Sequence, residues 1–452
     1  MQFELNREFI DELKVLIESE SAEAVLDKLE GLHPTDIAEL MDELSMDEAK
    51  YLYLLLDPER ASDVLVEIPE NERRRFLRVL PPELIARQFI EYMDSDDAAD
   101  VVGDLEDDMK EAVLQEMKDK EQAGDIADLL EYDEDSAGGL MAKELIKVNE
   151  NWTVQTSLKE ISAQAEHIDE IYYVYVVDDG GFLKGILSLT KLILNPTNSK
   201  IKTLLEDDLH YVKTDATQEE VAQLMERFDL VAIPVVDHIG RLKGRITIDD
   251  VVDVIREEAE KDYQMVSGIT GDVESGDRVW NLTRARLPWL LIGLLGGILG
   301  ARVLGANESA LAQIQGIAFF IPLIAAMAGN VGVQSSSIVV QTIASGARDF
   351  DSIGKKLLKE LAVGLITALV FSSLIFVYNF TFGDSLKLTW AVSISLFIVI
   401  VFASLFGTTI PLVLNKLKID PALATGPFIT TTNDILGLIM YMMVAKTFFD
   451  IV

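Results

Sequence analysis

Five apolar segments occupy the last 166 residues of the chain, at about 287–305, 312–344, 360–380, 388–414 and 422–446. Each is long enough to cross a hydrocarbon core of about 30 Å. Lipid offers no partner for backbone N–H and C=O groups, so spans of this kind must be helices. The second segment carries no formal charge from Ser309 to Ala347, yet it holds Pro322, Gly329, Gly332 and five amides, Gln313, Gln315, Asn330, Gln334 and Gln341. That polarity predicts a cavity-lining helix, broken near "AGNVGVQSSS". Interhelical hydrogen bonding is the plainer reading of each amide. In the fifth segment, "GPFITTTNDILGL" keeps Asp434 in an otherwise apolar or small run, with Thr431 and Asn433 beside it. A carboxylate there costs roughly 2.5–3.5 kcal/mol on insertion scales unless it faces a wet path.

Charge divides the chain in two. Residues 287–452 hold 9 Lys+Arg against 8 Asp+Glu, which leaves 30 against 68 of the totals of 39 and 76 for residues 1–286. A polyanion of that size repels nucleic acid and anionic headgroups and draws cations. Nucleic acid is therefore excluded as a partner. Lys and Arg cluster before the first span and between the second and third and the fourth and fifth, which places the acidic half in the cytoplasm and the C-terminus outside. The acidic, amphipathic "MQFELNREFIDELKVL" predicts no cleaved secretory signal. With no cysteine, thiolate metal sites and disulfides are excluded.

Two repeats organise the acidic half. "LHP", "LDP" and "LPP" recur every 24 residues from Leu32, each opening a helical pattern. Proline in the first turn is a helix-start signal, and short helices at a fixed period predict an all-α superhelical domain over 1–132. Further on, "VVDDGGFLKGILSLTKLI" (176–193) aligns without gaps to "VVDHIGRLKGRITIDDVV" (235–252), with 7 of 18 positions identical. Each copy reads as strand, glycine turn, strand and helix start. This pair resembles tandem CBS modules, a Bateman domain, over 135–200 and 201–252. In many CBS modules a Ser or Thr followed three residues later by Asp touches a nucleotide ribose. Thr247 and Asp250 keep that spacing, whereas Ser188 is followed by Lys191. ATP binding through one half and simple capping of the next helix by Thr247 both remain open. In "IDDVVDVIREEAEKDYQM", Asp250, Asp253 and Glu257 share one helical face and Glu258 and Asp262 the adjoining one. Like charges at this spacing destabilise a bare helix, and a bound cation would reverse that.

The whole chain resembles the MgtE family of Mg²⁺ transporters and channels. "DSAGGLM" (135–141), "GNVGVQS" (329–335) and "DPALATGPFITTTNDILGLIMY" (420–441) carry the resemblance. It implies a multidomain α-helical membrane protein: the superhelical domain, the α/β CBS pair, a connecting helix over 248–283 and a five-helix pore domain over 284–452. It also implies a homodimer in the cell membrane that moves Mg²⁺ and is closed by intracellular Mg²⁺, with no enzymatic activity. Asp434 matches the pore carboxylate, with Asn330 and Gln334 lining the turn where Val333 replaces a further amide. Asp420, Asp250, Asp253, Glu258 and Asp262 match acids in and around the connecting helix. Asp63, Asp96, Asp100, Asp229 and the Gly138 carbonyl match their partners. Lys261 falls where an acid is expected.

The rivals are narrower. An intramembrane aspartyl protease needs two span carboxylates, and Asp384 lies in a loop. An anion carrier would favour buried Arg or Lys. A carrier of Mn²⁺, Co²⁺ or Ni²⁺, or a membrane-anchored sensor without transport, fits the same sequence.

Overall fold

The computed structural model describes residues 6–165, 168, 170–205, 209–271, 273, 279–344, 353–383, 385–424 and 426–450. The chain forms two compact units, Met1–Ile255 and Arg256–Val452.

The first unit begins with ten helices, α1 (Arg7–Glu18) to α10 (Lys120–Leu129). The 24-residue repeat is visible in their starts. Pro34, Pro58 and Pro82 open α3 (Pro34–Asp42), α5 (Pro58–Glu67) and α7 (Pro82–Gln88), where the missing N–H has no intrahelical partner to lose. Asp57 caps α5 by accepting from the Arg60 N–H at 3.1 Å. Tyr53 is fully buried among the helices, edge-on to Phe76 and Phe89 at 4.9 Å each, and its hydroxyl donates to the Ala61 carbonyl. Of the predicted acids on this stretch, Asp96 and Asp100 lie on α8 (Ser95–Gly103).

Two three-stranded sheets follow, each with one parallel and one antiparallel pair. The first is β1 (Ile146–Asn149), β2 (Val174–Val177) and β3 (Leu183–Leu187), with α11 (Val154–Gln164) in the parallel crossover and α12 (Leu189–Leu194) after it. The second is β4 (Val212–Lys213), β5 (Ala232–Val236) and β6 (Leu242–Thr247), with α13 (Gln218–Phe228) in its crossover. Every residue of β5 is buried, as its unbroken apolar run requires. The matched sequence copies thus form matched strand, turn and strand units, the turn in each made at a glycine of positive φ, Gly181 and Gly240.

α14 (Ile248–Val266) carries the boundary between the units. The second unit continues with α15 (Val279–Ala306), α16 (Glu308–Gln313), α17 (Ile321–Ala344), α18 (Ile353–Phe382), α19 (Leu386–Lys416) and α20 (Pro427–Phe449). Five of these helices are long and apolar enough to cross a membrane; α19 is the most enclosed and α15 the least. The expected break near "AGNVGVQSSS" is corrected: those residues lie in unbroken α17. The irregularity falls earlier, at Gly316 (φ +86°) and the single 3₁₀ turn Ile317–Phe320. The Ile317 carbonyl at that turn accepts from the Tyr441 hydroxyl of α20 at 2.9 Å, so the neighbouring helix satisfies a group the turn would leave unpaired. Asp384 and part of the basic loop before α18 lie outside the described residues.

Candidate ion path and cation sites

Glycines bring α20 onto α17. A Cβ on Gly332 would fall 1.8 Å from Asn433 Nδ2, and one on Gly329 would fall 2.9 Å from Asp434 Oδ1. The "GNVGVQS" glycines therefore serve close approach, with no chain break. Asn330 and Gln334 are four residues apart on α17, as Thr430 and Asp434 are on α20, so each pair shares a helix face. Asn330, Gln334, Thr430 and Thr431 line one cavity of about 650 Å³, together with Val333, Gly426 and Pro427. Val266 and Ser267, at the end of α14, complete its wall. A Cβ on Gly426 would fall 2.4 Å from the Val266 carbonyl, which shows how closely the end of α14 sits on the start of α20. Asp434, one turn beyond Thr430, has an Oδ1 that is buried without a partner.

Of the residues expected to line a path, Asn330, Gln334 and Thr431 meet in this cavity. Asn433 faces away from it: it is 1% exposed, packed on Gly332, with both amide atoms unpartnered. Thr430 and Val333 were missed from sequence, although the i−4 step from Asp434 points to Thr430. Near the foot of α14, burial raises the Asp262 carboxyl above its usual range, and Asp420 and Glu258 add to it with like charge. Lys261 stands 3.2 Å from Glu258, so a tethered ammonium occupies the neighbourhood where another acid was expected. Asp420 accepts from the Ala422 N–H at 2.8 Å, and Glu257 is exposed on α14.

The first unit holds the other acidic site. Asp94, Asp96 and Glu144 each place one carboxylate oxygen within 4.8 Å of the others. Ser95, fully buried, holds Glu144 in place: its N–H and hydroxyl donate to Glu144 Oε2 at 3.2 and 2.7 Å. These acids line a cavity of about 620 Å³ with Asp97, Asp250 and Asp253. Burial pushes the Asp96 carboxyl well up, with Asp97 and Asp250 adding like charge. Asp97 rises to about 7 through burial, then Asp250 and Asp100. Asp100 also rises to about 7, through burial against the opposing pull of Arg73. Asp250 is raised by burial too, opposed by the Thr247 N–H and hydroxyl that donate to its Oδ2 at 3.1 and 2.7 Å. Acids whose charged forms are so disfavoured gain most from a cation.

Asp96, Asp250 and Asp253 thus line one cavity, with Asp100 in electrostatic contact. Asp63 and Asp229 are exposed and do not line the cavity; Gly138 is buried, its N–H donating to the Thr214 carbonyl at 3.0 Å. Asp94, Asp97 and Glu144 were missed. The run "DSDDAAD" signalled the first two, but Glu144 joins them from 48 residues beyond Asp96. Arg245 lines the same cavity: it is 7% exposed, donates from Nε to the Glu144 carbonyl and lies 3.8 Å from Asp94, but its Nη1 has no partner.

Paired CBS modules behind an acidic helical stack, followed by five apolar helices with an interior carboxylate, define a multi-pass membrane protein. Residues 321–444 match the family model described as a divalent cation transporter, residues 32–135 that of the MgtE intracellular N domain, and residues 137–196 and 201–257 that of the CBS domain. The chain is 34% identical to the magnesium transporter MgtE of Thermus thermophilus, over 97% of this chain and 98% of that protein. It is 32% identical to the magnesium transporter MgtE of Bacillus subtilis, over 93% of each. A crystal structure of the cytosolic domain of the Mg²⁺ channel MgtE in complex with ATP superposes with a TM-score of 0.51 at 35% identity, covering 54% of this chain and 99% of that one. The chain belongs to the MgtE family.

Proposed function

We propose that the chain is a magnesium channel or transporter of the cell membrane, working as a homodimer that passes Mg²⁺ into the cytoplasm and closes when cytoplasmic Mg²⁺ binds its acidic half. The observation that carries this is Asp434, a carboxylate with an unpartnered buried oxygen one turn beyond a polar cavity. Mg²⁺ sheds water reluctantly and is usually held by one or two carboxylates. Two protomers would supply two copies of Asp434. Six waters at roughly 30 Å³ each need about 180 Å³, well under the cavity's 650 Å³. The hydrated ion fits without a dehydrating cage. Carriage of Mn²⁺, Co²⁺ or Ni²⁺ is the nearest alternative chemistry.

Gating follows from the two acid groups. Cations at Asp94, Asp96, Glu144 and Asp250, and at Asp262, Glu258 and Asp420, relieve repulsion in the compact state and favour it by their differential affinity. The end of α14 then closes the cavity mouth. The charge bias of the loops supports an orientation with the acidic half in the cytoplasm and the C-terminus outside. Mg²⁺ uptake into liposomes holding the purified chain tests the reading: flux that falls as Mg²⁺ on the acidic-half side rises to millimolar supports it. A chain that binds Mg²⁺ but passes none is a sensor and defeats it.

Nucleotide binding is a second role for the first unit. Arg245, whose Nη1 has no partner and whose Cζ lies 5.5 Å from the centre of the Tyr172 ring, offers charge and an aromatic neighbour beside the Thr247–Asp250 pair, which supports a nucleotide such as ATP, its phosphates carried with Mg²⁺ against the cavity's acids. Equilibrium dialysis with ATP, with and without Mg²⁺, checks it.

A further inference from the structure

Glu360 is a second carboxylate in the helical bundle, two turns into α18, and the ion path described above does not use it. Ser335 on α17 donates its hydroxyl to Glu360 Oε1 at 2.7 Å, and Ser404 on α19 donates to the same oxygen. Both serines are buried, at 5% and 1% exposure. α19 comes close enough because of Gly364, one turn along α18, where a Cβ would lie 3.0 Å from Ser404 Oγ. Other hydroxyls in these helices, those of Ser395 and Thr409 on α19 and Thr342 on α17, turn back to the carbonyl four residues earlier. Ser335 and Ser404 forgo that local acceptor and converge on one carboxylate from two neighbouring helices. An ionisable group within an apolar helix is costly and marks function by default.

The geometry of α17 shows what the convergence does. Ser335 follows Gln334 directly and lies five residues from Asn330, so it points about 100° from the first and about 140° from the second around the helix. Holding Ser335 on Glu360 holds Gln334 and Asn330 toward the cavity on the far side. We infer that Glu360 is a positioning residue for the ion path: it clamps α17 to α18 and α19 in the rotation that presents Asn330 and Gln334 to the cavity beside Asp434. This rests on the reading of that cavity as the path. The carboxylate acts as a double acceptor, without touching the ion.

The chain has no cysteine, so single cysteines report rotation cleanly in the full-length protein in liposomes. Gln334→Cys, in the cavity, should react with a charged methanethiosulfonate at least tenfold faster than Ser336→Cys, whose parent side chain is fully buried. Adding Glu360→Ala should collapse that ratio to within threefold and raise the Mg²⁺ concentration for half-maximal flux several-fold. Glu360→Gln keeps an oxygen acceptor for both serines and should restore both readouts. A ratio unchanged in Glu360→Ala overturns the proposal, as does Glu360→Gln behaving like Glu360→Ala, since charge would then be the operative property. If Glu360→Ala does not fold, Ser335→Ala and Ser404→Ala each remove one bond; an unchanged ratio in both overturns it equally. Failure of Gln334→Cys to react at all in the otherwise unaltered protein would instead refute the path itself.

Discussion

Replacing Gly332 with alanine tests the contact on which the path is built. The new Cβ would sit 1.8 Å from Asn433 Nδ2, 3.0 Å from Asn433 Cγ and 3.0 Å from Ile429 Cγ2. Ordinary carbon contacts need about 3.5 Å, so α20 must retreat by more than 1 Å or Asn433 must leave a site where it is 1% exposed. α17 cannot yield in the other direction, because a Cβ on Gly407 of α19 would already lie 2.4 Å from the Gly332 carbonyl. Alanine gains about 1 kcal/mol of helix propensity over glycine, whereas overpacking costs about 1–3 kcal/mol and occasionally more. With backbone on one side and a buried amide on the other, the upper end applies. The net loss is then about 2 kcal/mol, a fall of several degrees in Tm at about 2–4 °C per kcal/mol for a unit of this size. Mg²⁺ flux should fall more than tenfold, because Asp434 moves with Asn433. Gly293→Ala, where a Cβ meets nothing within 4 Å, should leave Tm unchanged or slightly raised. Thermal unfolding in detergent and flux in liposomes, on both variants, decide the matter. Gly332→Ala with the Tm and flux of the parent protein would refute the packing argument.

Other outcomes follow from the acidic cavity. Asp97 and Asp100, both raised to about 7, bind more protons folded than unfolded between the ordinary carboxylate range and neutrality. Their stabilising contribution is therefore fully present only below the ordinary carboxylate range, declines as pH rises from there, and is gone once pH has passed through about 7; in chelator the Tm of the first unit's transition should fall from pH 5 to pH 7 and level off by pH 8. Saturating Mg²⁺ should flatten that dependence and bind more tightly at pH 8 than at pH 6, which calorimetry on the full chain measures. Ser95→Ala removes the buried hydroxyl that holds Glu144, leaving a half-buried carboxylate with one donor fewer at a cost of about 1 kcal/mol; Mg²⁺ protection against proteolysis should then require a several-fold higher concentration.

Much of this was legible from local pattern. Pro34, Pro58 and Pro82 each open a helix because proline's missing N–H costs nothing in the first turn. The aligned copies form equivalent strands because alternation and glycine turns are local signals. The span count held because length and apolarity suffice for it. What failed to show was tertiary. Gly329 and Gly332 read as a break, yet in a membrane helix a glycine equally marks where another helix approaches. Glu360 read as the head of the third span because a 20-residue rule stops there, whereas α18 runs 30 residues and takes it inside. Glu144 is held beside Asp94 and Asp96 by Ser95, through a bond between residues 49 apart that no periodicity reveals.

The central claim is that the Asp434 carboxylate is the group through which the ion passes. Asp434→Asn removes its charge while keeping nearly its shape. Mg²⁺ flux through the full-length protein in liposomes, at Mg²⁺ low enough to leave the acidic half unloaded, measures the consequence directly. The account predicts at least a tenfold loss of flux with the fold and Tm retained. Flux and cation preference equal to those of the unaltered chain would contradict it.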